Sequence, residues 1–120
     1  MKKRTDFLVI GSGIAGLTFA MEASRLGKVS IITKSGLGDS NTRYAQGGIA
    51  AVFREPDNFE KHINDTLIAG DGCGDEAVVR MVVSEAPERI QDLIKLGVPF
   101  DKTGKGIYDL AKEGGHSEHR

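Results

Sequence analysis

The first forty residues alternate between short apolar runs and glycine-rich breaks. Residues 6–10 (DFLVI) are an apolar run between charge and glycine, which predicts a parallel strand buried on both faces. Apolar residues recur at helical spacing over 14–26, and Gly27 ends that pattern. A second apolar run covers 29–33. Strand, glycine-rich turn, helix and strand predict an α/β, Rossmann-like fold that begins with a βαβ unit over about residues 5–34.

The rest of the chain predicts an irregular segment, helices and a final loop. Residues 35–54 are rich in Gly, Ser, Asn and Ala and show no clean period, and such segments are usually functional. Residues 58–97 form a helical region, in which Asp75 caps a helix through residue 86 and Pro87 begins another. Residues 98–120 are loop-like. Because two parallel strands cannot close a core alone, we expect residues 1–120 to be the N-terminal part of one domain in a longer chain.

Composition narrows the class of protein. The 16 Lys and Arg residues nearly balance 17 Asp and Glu residues, which argues against nucleic-acid binding. No apolar run approaches the roughly 18 residues of a membrane span, and glycines dilute the apolar stretch over residues 7–20 too much for a signal peptide. Cys73, the only cysteine, fits a reducing compartment. We therefore expect a cytoplasmic protein without a membrane or nucleic-acid partner.

Gly11, Gly13 and Gly16 form a G-x-G-x-x-G pattern between the first strand and the first helix. In dinucleotide-binding proteins the first glycine allows the tight turn, the second the approach of a pyrophosphate, and the third close packing of helix on strand. The anion rests on the helix N-terminus, where free N–H groups favour negative charge. A glycine-rich turn in a protein that binds no nucleotide is the alternative.

Lys34 stands at the end of the second strand, where an acidic residue usually binds the ribose. A lysine cannot accept a hydrogen bond from a hydroxyl, but it can donate to ribose oxygens or contact a phosphate. The cofactor is therefore either NADP or an FAD bound in a different manner, and a solvated cation at the strand end is the alternative interpretation of Lys34.

Three separated blocks resemble the L-aspartate oxidases, a branch of the flavoprotein family of succinate dehydrogenase and fumarate reductase. The blocks are YAQGGIAAVF at 44–53, DTLIAG at 65–70 and EGGHS at 113–117. The resemblance covers nearly the whole chain and implies FAD-dependent oxidation of L-aspartate to iminoaspartate, for quinolinate and NAD synthesis, in a larger flavoprotein of two or three domains. Oxygen or fumarate would accept the electrons, and quinolinate synthase is a candidate partner. A fumarate reductase or succinate dehydrogenase-type flavoprotein and a non-catalytic nucleotide-binding fragment are the alternatives.

The resemblance also implies a set of cofactor-binding residues. It assigns Lys34 to the FAD site and places the FAD pyrophosphate on Gly11, Ser12, Gly13, Ile14, Ala15 and Gly16. The residues implied to line the flavin are Asn41, Thr42, Arg43, Tyr44, Ala45, Gln46, Gly47 and Gly48. Asn41 stands where succinate dehydrogenases carry the histidine that bonds covalently to the flavin. Since an amide is no nucleophile for that attachment, we expect non-covalent FAD.

Glu113 and His116 are the candidate active-site residues of the final loop. Aspartate differs from succinate by one ammonium group, so a site that selects aspartate benefits from a buried carboxylate near it. Glu113 matches the glutamate to which the resemblance assigns substrate orientation; outside that block, a surface glutamate would be the better interpretation. His116 is expected to be a polar active-site residue. The base and other substrate ligands are expected beyond residue 120.

The remaining polar residues are weaker candidates. His116 and His119 have a spacing that could bind a metal on a helix, but no acidic or cysteine cluster completes a site, so we expect no metal. His62 and His119 are expected at the surface. Lys112 and Arg120 are cations near the expected dicarboxylate site, and solvated loop residues are an equally good interpretation of both.

Overall fold

The structure, a computed structural model, describes residues 3–45 and 47–120. Its elements are β1 (Phe7–Ile10), α1 (Ile14–Ala23), β2 (Val29–Ile32), α2 (Asn41–Tyr44), α3 (Phe59–Ala69) and α4 (Glu76–Lys95). They belong to two compact units, Met1–Gly47 and Gly48–Arg120. The predicted α/β fold is confirmed. Within the described part of the chain, no helix combines the length and the apolar character needed to cross a membrane.

The first unit is the predicted βαβ unit. β1 and β2 pair in parallel, with Phe7 opposite Val29, and α1 packs against both strands. Val9 is buried, whereas Leu8 and Ile10 on the other face of β1 are exposed. The prediction of a strand buried on both faces is therefore wrong for this chain, because α1 covers a single face of the pair.

In the second unit, α3 follows the predicted helical pattern. The Asn58 side chain accepts a hydrogen bond of 2.9 Å from the Lys61 N–H and caps the helix, and Gly70 ends it. Ile63 of α3 is 3% exposed. α3 packs against α4. The Asp75 carboxylate caps α4 as predicted, accepting from the N–H groups of Ala77 and Val78.

α4 is one continuous helix with Pro87 inside it, so the prediction of two helices that meet at Pro87 is wrong. A proline in a helix removes one hydrogen bond and costs about 3 kcal/mol or more. The buried residues Val83 and Ile90 lie on one side of the helix, and Pro87 is half-buried between them. Packing of this apolar stripe offsets the cost, and a local helix-start signal carries no information about that packing.

Candidate functional site

The glycine-rich turn connects β1 directly to α1. Gly11 has a positive φ of 108°, a conformation that favours glycine, and its N–H donates to the Ile32 carbonyl oxygen at 2.8 Å. Among the described residues, no atom within 4 Å would meet a side chain at Gly11. The turn is thus held from β2 and leaves open space above Gly11.

Gly16 is where helix and strand come closest. A Cβ atom at Gly16 would overlap the backbone carbonyl of Gly11 and lie 3.4 Å from the Cγ1 atom of Val9. Because the main obstacle is backbone, it cannot rotate away. This confirms the predicted packing role of Gly16. The neighbouring Ser12 is buried, and its hydroxyl donates to the Thr33 hydroxyl at 3.2 Å.

Thr42 brings the expected flavin-lining segment to the N-terminus of α1. Its Oγ1 atom accepts a hydrogen bond of 3.1 Å from the Ile14 N–H, one of the donors at that helix end that have no partner within the helix. The same oxygen lies 3.4 Å from the position that a Cβ of Gly13 would occupy. Two candidate groups distant in sequence, the turn and residue 42, therefore meet within the first unit.

The other candidates of this unit are exposed. Asn41 is the first residue of α2, which Ser40 caps by accepting from the Arg43 N–H at 3.4 Å. Gly47 has a positive φ of 97°. Gln46, also expected to line the flavin, lies outside the described residues. The exposed candidates are Ile14, Ala15, Lys34, Asn41, Thr42, Arg43, Tyr44, Ala45, Gly47 and, at the start of the second unit, Gly48.

Arg120 is the centre of a buried ion-pair network in the second unit. Its Nε and Nη2 atoms donate to the two oxygens of Asp57 at 2.9 and 2.8 Å, and its Nη1 atom donates to Asp65 at 2.7 Å. The Arg120 side chain is 0% exposed. Burial disfavours its charge, but the hydrogen bonds that it donates to Asp57 and Asp65 raise the pKa of Arg120 overall. The solvated interpretation of Arg120 is therefore wrong, since both carboxylates neutralise its charge in the interior.

Asp65 also binds the final loop through Ser117. The backbone N–H and the hydroxyl of Ser117 each donate to Oδ2 of Asp65 at 2.7 Å. Burial acts to raise the pKa of Asp65, yet the hydrogen bonds from Ser117 and Arg120 outweigh it and lower that pKa to about 2. Asp65 is thus ionised at neutral pH and is shared by two residues of one loop.

His62 is buried, contrary to the surface position expected from the sequence. Its ring lies edge-on to the ring of His116, with 6.1 Å between the centroids. The final loop folds back over α3, and this covers His62. Burial, followed by the nearby charge of Arg120, lowers the pKa of His62. Its Nδ1 atom has no hydrogen-bond partner among the described residues.

A cavity of about 180 Å³ brings the active-site candidates together. Its lining consists of Gly48, Ile49, Ala50, Ala111, Glu113, His116 and Arg120. Glu113 and His116 are joined by two hydrogen bonds: the Glu113 N–H donates to Nδ1 of His116 at 3.3 Å, and the His116 N–H donates to the Glu113 carbonyl at 3.1 Å. Glu113 is exposed, so the described residues do not provide the burial that would strengthen its attraction for an ammonium group.

Two weaker candidates remain at the surface. Lys112 is exposed and its ammonium donates to the Ser117 carbonyl at 2.8 Å. His119 is exposed and lies outside any helix.

Sequence reasoning missed Asp57, Asp65 and His62. Two signals were available, because His62 is adjacent to Ile63 at the edge of the apolar face of α3 and Asp65 opens the DTLIAG block. Asp57 carries no comparable signal.

Known proteins share both the sequence and the fold. A family model described as FAD binding domain matches residues 6–120. The chain is 51% identical over 118 residues to the chloroplastic L-aspartate oxidase of Oryza sativa subsp. japonica, covering 98% of this chain and 18% of that protein. It is 50% identical over 120 residues to the L-aspartate oxidase of Vibrio cholerae serotype O1, covering 96% and 22%. The chain thus spans about a fifth of the length of the curated relatives that it matches.

Two solved structures share the fold of this chain. The Escherichia coli quinol fumarate reductase subunit FrdA superposes with a TM-score of 0.88 at 32% identity, over 97% of this chain and 20% of that one. Mycobacterium smegmatis Sdh1, in complex with UQ1, gives 0.86 at 35% identity, again over 97% and 20%.

The plant relatives correct the expected location. Proteins of rice, tobacco and Arabidopsis with 50–52% identity are named as chloroplastic, which contradicts the expectation of a cytoplasmic protein. The expectation was based on a single cysteine and on the lack of an apolar span. The first reflects redox conditions and the second reflects the solvent, so neither specifies a compartment. The glycine-rich turn before α1 and the family match over residues 6–120 together show that this chain belongs to the FAD-binding domain family, whose cofactor is FAD.

Proposed function

We propose that this chain supplies the N-terminal FAD-binding part of an L-aspartate oxidase. The observation that carries the proposal is 44–52% identity, over at least 96% of the chain, to L-aspartate oxidases of plants and bacteria. The reaction oxidises L-aspartate to iminoaspartate. A fumarate reductase or succinate dehydrogenase-type flavoprotein is the second candidate, favoured by the solved structures at 32–35% identity.

The turn in the first unit fits a diphosphate. Gly11 has open space around it, and Gly13 leaves its Cβ position empty beside the first N–H groups of α1. These groups would hold the FAD diphosphate, because free N–H groups at a helix N-terminus favour an anion. The Thr42 hydroxyl, which contacts Ile14, would lie at the edge of the bound diphosphate. Lys34, exposed at the end of β2, would contact the ribose or a phosphate.

Bound FAD would accept the hydride that leaves Cα of aspartate. The residues of this chain would bind the substrate and orient it. Glu113 would hold the substrate ammonium group, and His116 would support it through the two hydrogen bonds that join them. Residues 35–54 would line the flavin and residues 98–120 would form the active-site loop. Oxygen or fumarate would reoxidise the cofactor, and the imine product would pass to quinolinate synthesis, with quinolinate synthase as the partner.

Asn41 supports non-covalent attachment of the flavin, because an amide cannot form the bond that a histidine forms. Acid precipitation of the holoenzyme is expected to release all of its yellow colour into the supernatant. Flavin retained on the denatured protein would contradict this part of the proposal.

The substrate is tested by turnover of the purified holoenzyme. Flavin reduction by L-aspartate, with little reduction by succinate, is the expected result. Reduction by succinate alone would favour the succinate dehydrogenase-type alternative. Colourless protein that binds no added FAD would favour a non-catalytic fragment.

A further inference from the structure

Asp65 fastens the final loop to α3. Its Oδ2 atom accepts hydrogen bonds from the Ser117 N–H, the Ser117 hydroxyl and Nη1 of Arg120, each 2.7 Å long, across sequence separations of 52 to 55 residues. Hydrogen bonds to a charged acceptor are roughly twice as strong as neutral ones. One carboxylate oxygen of α3 therefore holds three donors of the final loop, beside the ion pair that Lys61 of α3 forms with Glu118 of the same loop.

The loop that Asp65 holds is closed at its base and shaped at its tip. Ala111 and Arg120 exchange two backbone hydrogen bonds of 3.1 and 2.9 Å, which bring its ends together. At the tip, Glu113 and His116 are joined by the two hydrogen bonds already described. Since Ser117 follows His116 directly, a bond that fixes Ser117 also fixes the place of the tip along α3.

Asp57 provides a matched comparison. It binds the same Arg120 through two hydrogen bonds, and its side chain is 2% exposed against 12% for Asp65. Both carboxylates neutralise Arg120. Among the described contacts, Asp65 alone of the two also binds Ser117.

We propose that Asp65 is a positioning residue that sets where Glu113 and His116 stand at the cavity, and through them how tightly the substrate ammonium is bound. The functional part of this inference rests on the proposed aspartate oxidase activity. The negative charge is essential to the role, because three donors meet on one oxygen. An asparagine of the same size has a weaker acceptor and presents two donors of its own.

The kinetic test compares Asp65→Asn with Asp57→Asn in the holoenzyme. The first variant is expected to raise KM for L-aspartate about tenfold and to change kcat less than about twofold, because the change affects binding more than chemistry. The second should lower the unfolding temperature at least as much, since its carboxylate is more buried, while KM stays within about twofold of the parent value. An equal rise of KM in both variants would overturn the inference, since Asp65 would then act only through Arg120 and stability.

Hydrogen exchange gives a readout that needs no turnover. Backbone amides of residues 111–117 are expected to exchange at least about tenfold faster in Asp65→Asn than in Asp57→Asn. Ser117→Ala, which removes one donor and leaves all charges, should fall between the parent and Asp65→Asn. If the parent fails to oxidise aspartate, the proposed function fails, while equal exchange in the two Asp variants would still reject the positioning role.

Discussion

The two units of this chain build their candidate sites in different ways. In residues 3–45 and 47 the site is backbone: a turn whose glycines leave room for a ligand and whose helix offers free N–H groups. In residues 48–120 the site is a set of side chains on the final loop, which lies next to a buried ion-pair network around Arg120. A site made of backbone depends on local conformation, whereas a network depends on charges brought together from distant positions.

The contrast predicts different responses to mutation. In the first unit, substitutions that add side-chain atoms should be the damaging ones, because the turn depends on glycines that have no Cβ atom. In the second unit, substitutions that remove a charged side chain should be the damaging ones, because each buried charge depends on a partner of opposite charge.

Arg120→Met should have the largest effect on stability. It leaves Asp57 and Asp65 buried without their counter-ion, and breaking a buried ion pair costs about 3 to 5 kcal/mol. The control Arg25→Met removes the exposed pair with Glu22, whose side chains are 73% and 61% exposed, and should cost less than about 1 kcal/mol. Denaturant unfolding measures both. Equal small losses would mean that the network contributes no more than a surface pair.

Gly16→Ala should come next, at about 3 kcal/mol, the upper part of the usual range for overpacking, because the new Cβ meets the Gly11 backbone. FAD occupancy should fall with stability. Gly36→Ala is the control, since nothing within 4 Å would meet its Cβ. A bulkier residue at Gly13 should sharpen the contrast by lowering FAD occupancy more than stability. A Gly16→Ala protein that kept both the parent stability and its flavin would refute the packing argument.

Glu113→Gln should reduce kcat/KM for L-aspartate by about tenfold to a hundredfold. A charge-assisted hydrogen bond contributes about 1.5 to 3 kcal/mol, and about 1.4 kcal/mol corresponds to a factor of ten. Fumarate carries no ammonium group, so its reduction should fall much less. The ratio of the two activities in parent and variant is the measurement. A parallel fall would indicate that Glu113 supports the loop and not the substrate.

The smallest expected effect is a loss of stability at acidic pH. The pKa of Asp65 is lowered from 3.8 to about 2, so its stabilising effect is complete above pH 4 and is lost as the pH falls towards 2. The pKa of His62 is also lowered, so the unfolded chain takes up that proton first and stability declines as the pH falls below about 6.5. Both effects have the same sign: acid destabilises the second unit.

Unfolding measured from pH 7 to pH 2 tests this prediction. Asp65→Asn should flatten the decline between pH 4 and 2. Asp92→Asn, which changes an exposed carboxylate paired with Lys95, should leave the curve nearly unchanged. An identical slope in the parent and Asp65→Asn would show that Asp65 does not contribute to the acid sensitivity.

Local patterns predicted most of the elements. The βαβ unit, α3 and the Asp75 cap of α4 follow from neighbouring residues, because turns, caps and helix faces are set within a few positions. The same logic failed at Pro87, where a local stop signal was outweighed by packing along the whole of α4. It also failed for Leu8 and Ile10, whose apolar character does not by itself say what will cover them.

The glycine-rich turn, the packing role of Gly16 and the family can be predicted from the amino-acid sequence, since each depends on residue types at short, regular spacings. The burial of His62 and the network of Asp57, Asp65 and Arg120 are set by tertiary packing. Asp57 and Arg120 are 63 residues apart, and no local pattern encodes which carboxylate a distant arginine will meet. That choice is made when the final loop folds onto α3 and the buried charges must find partners there.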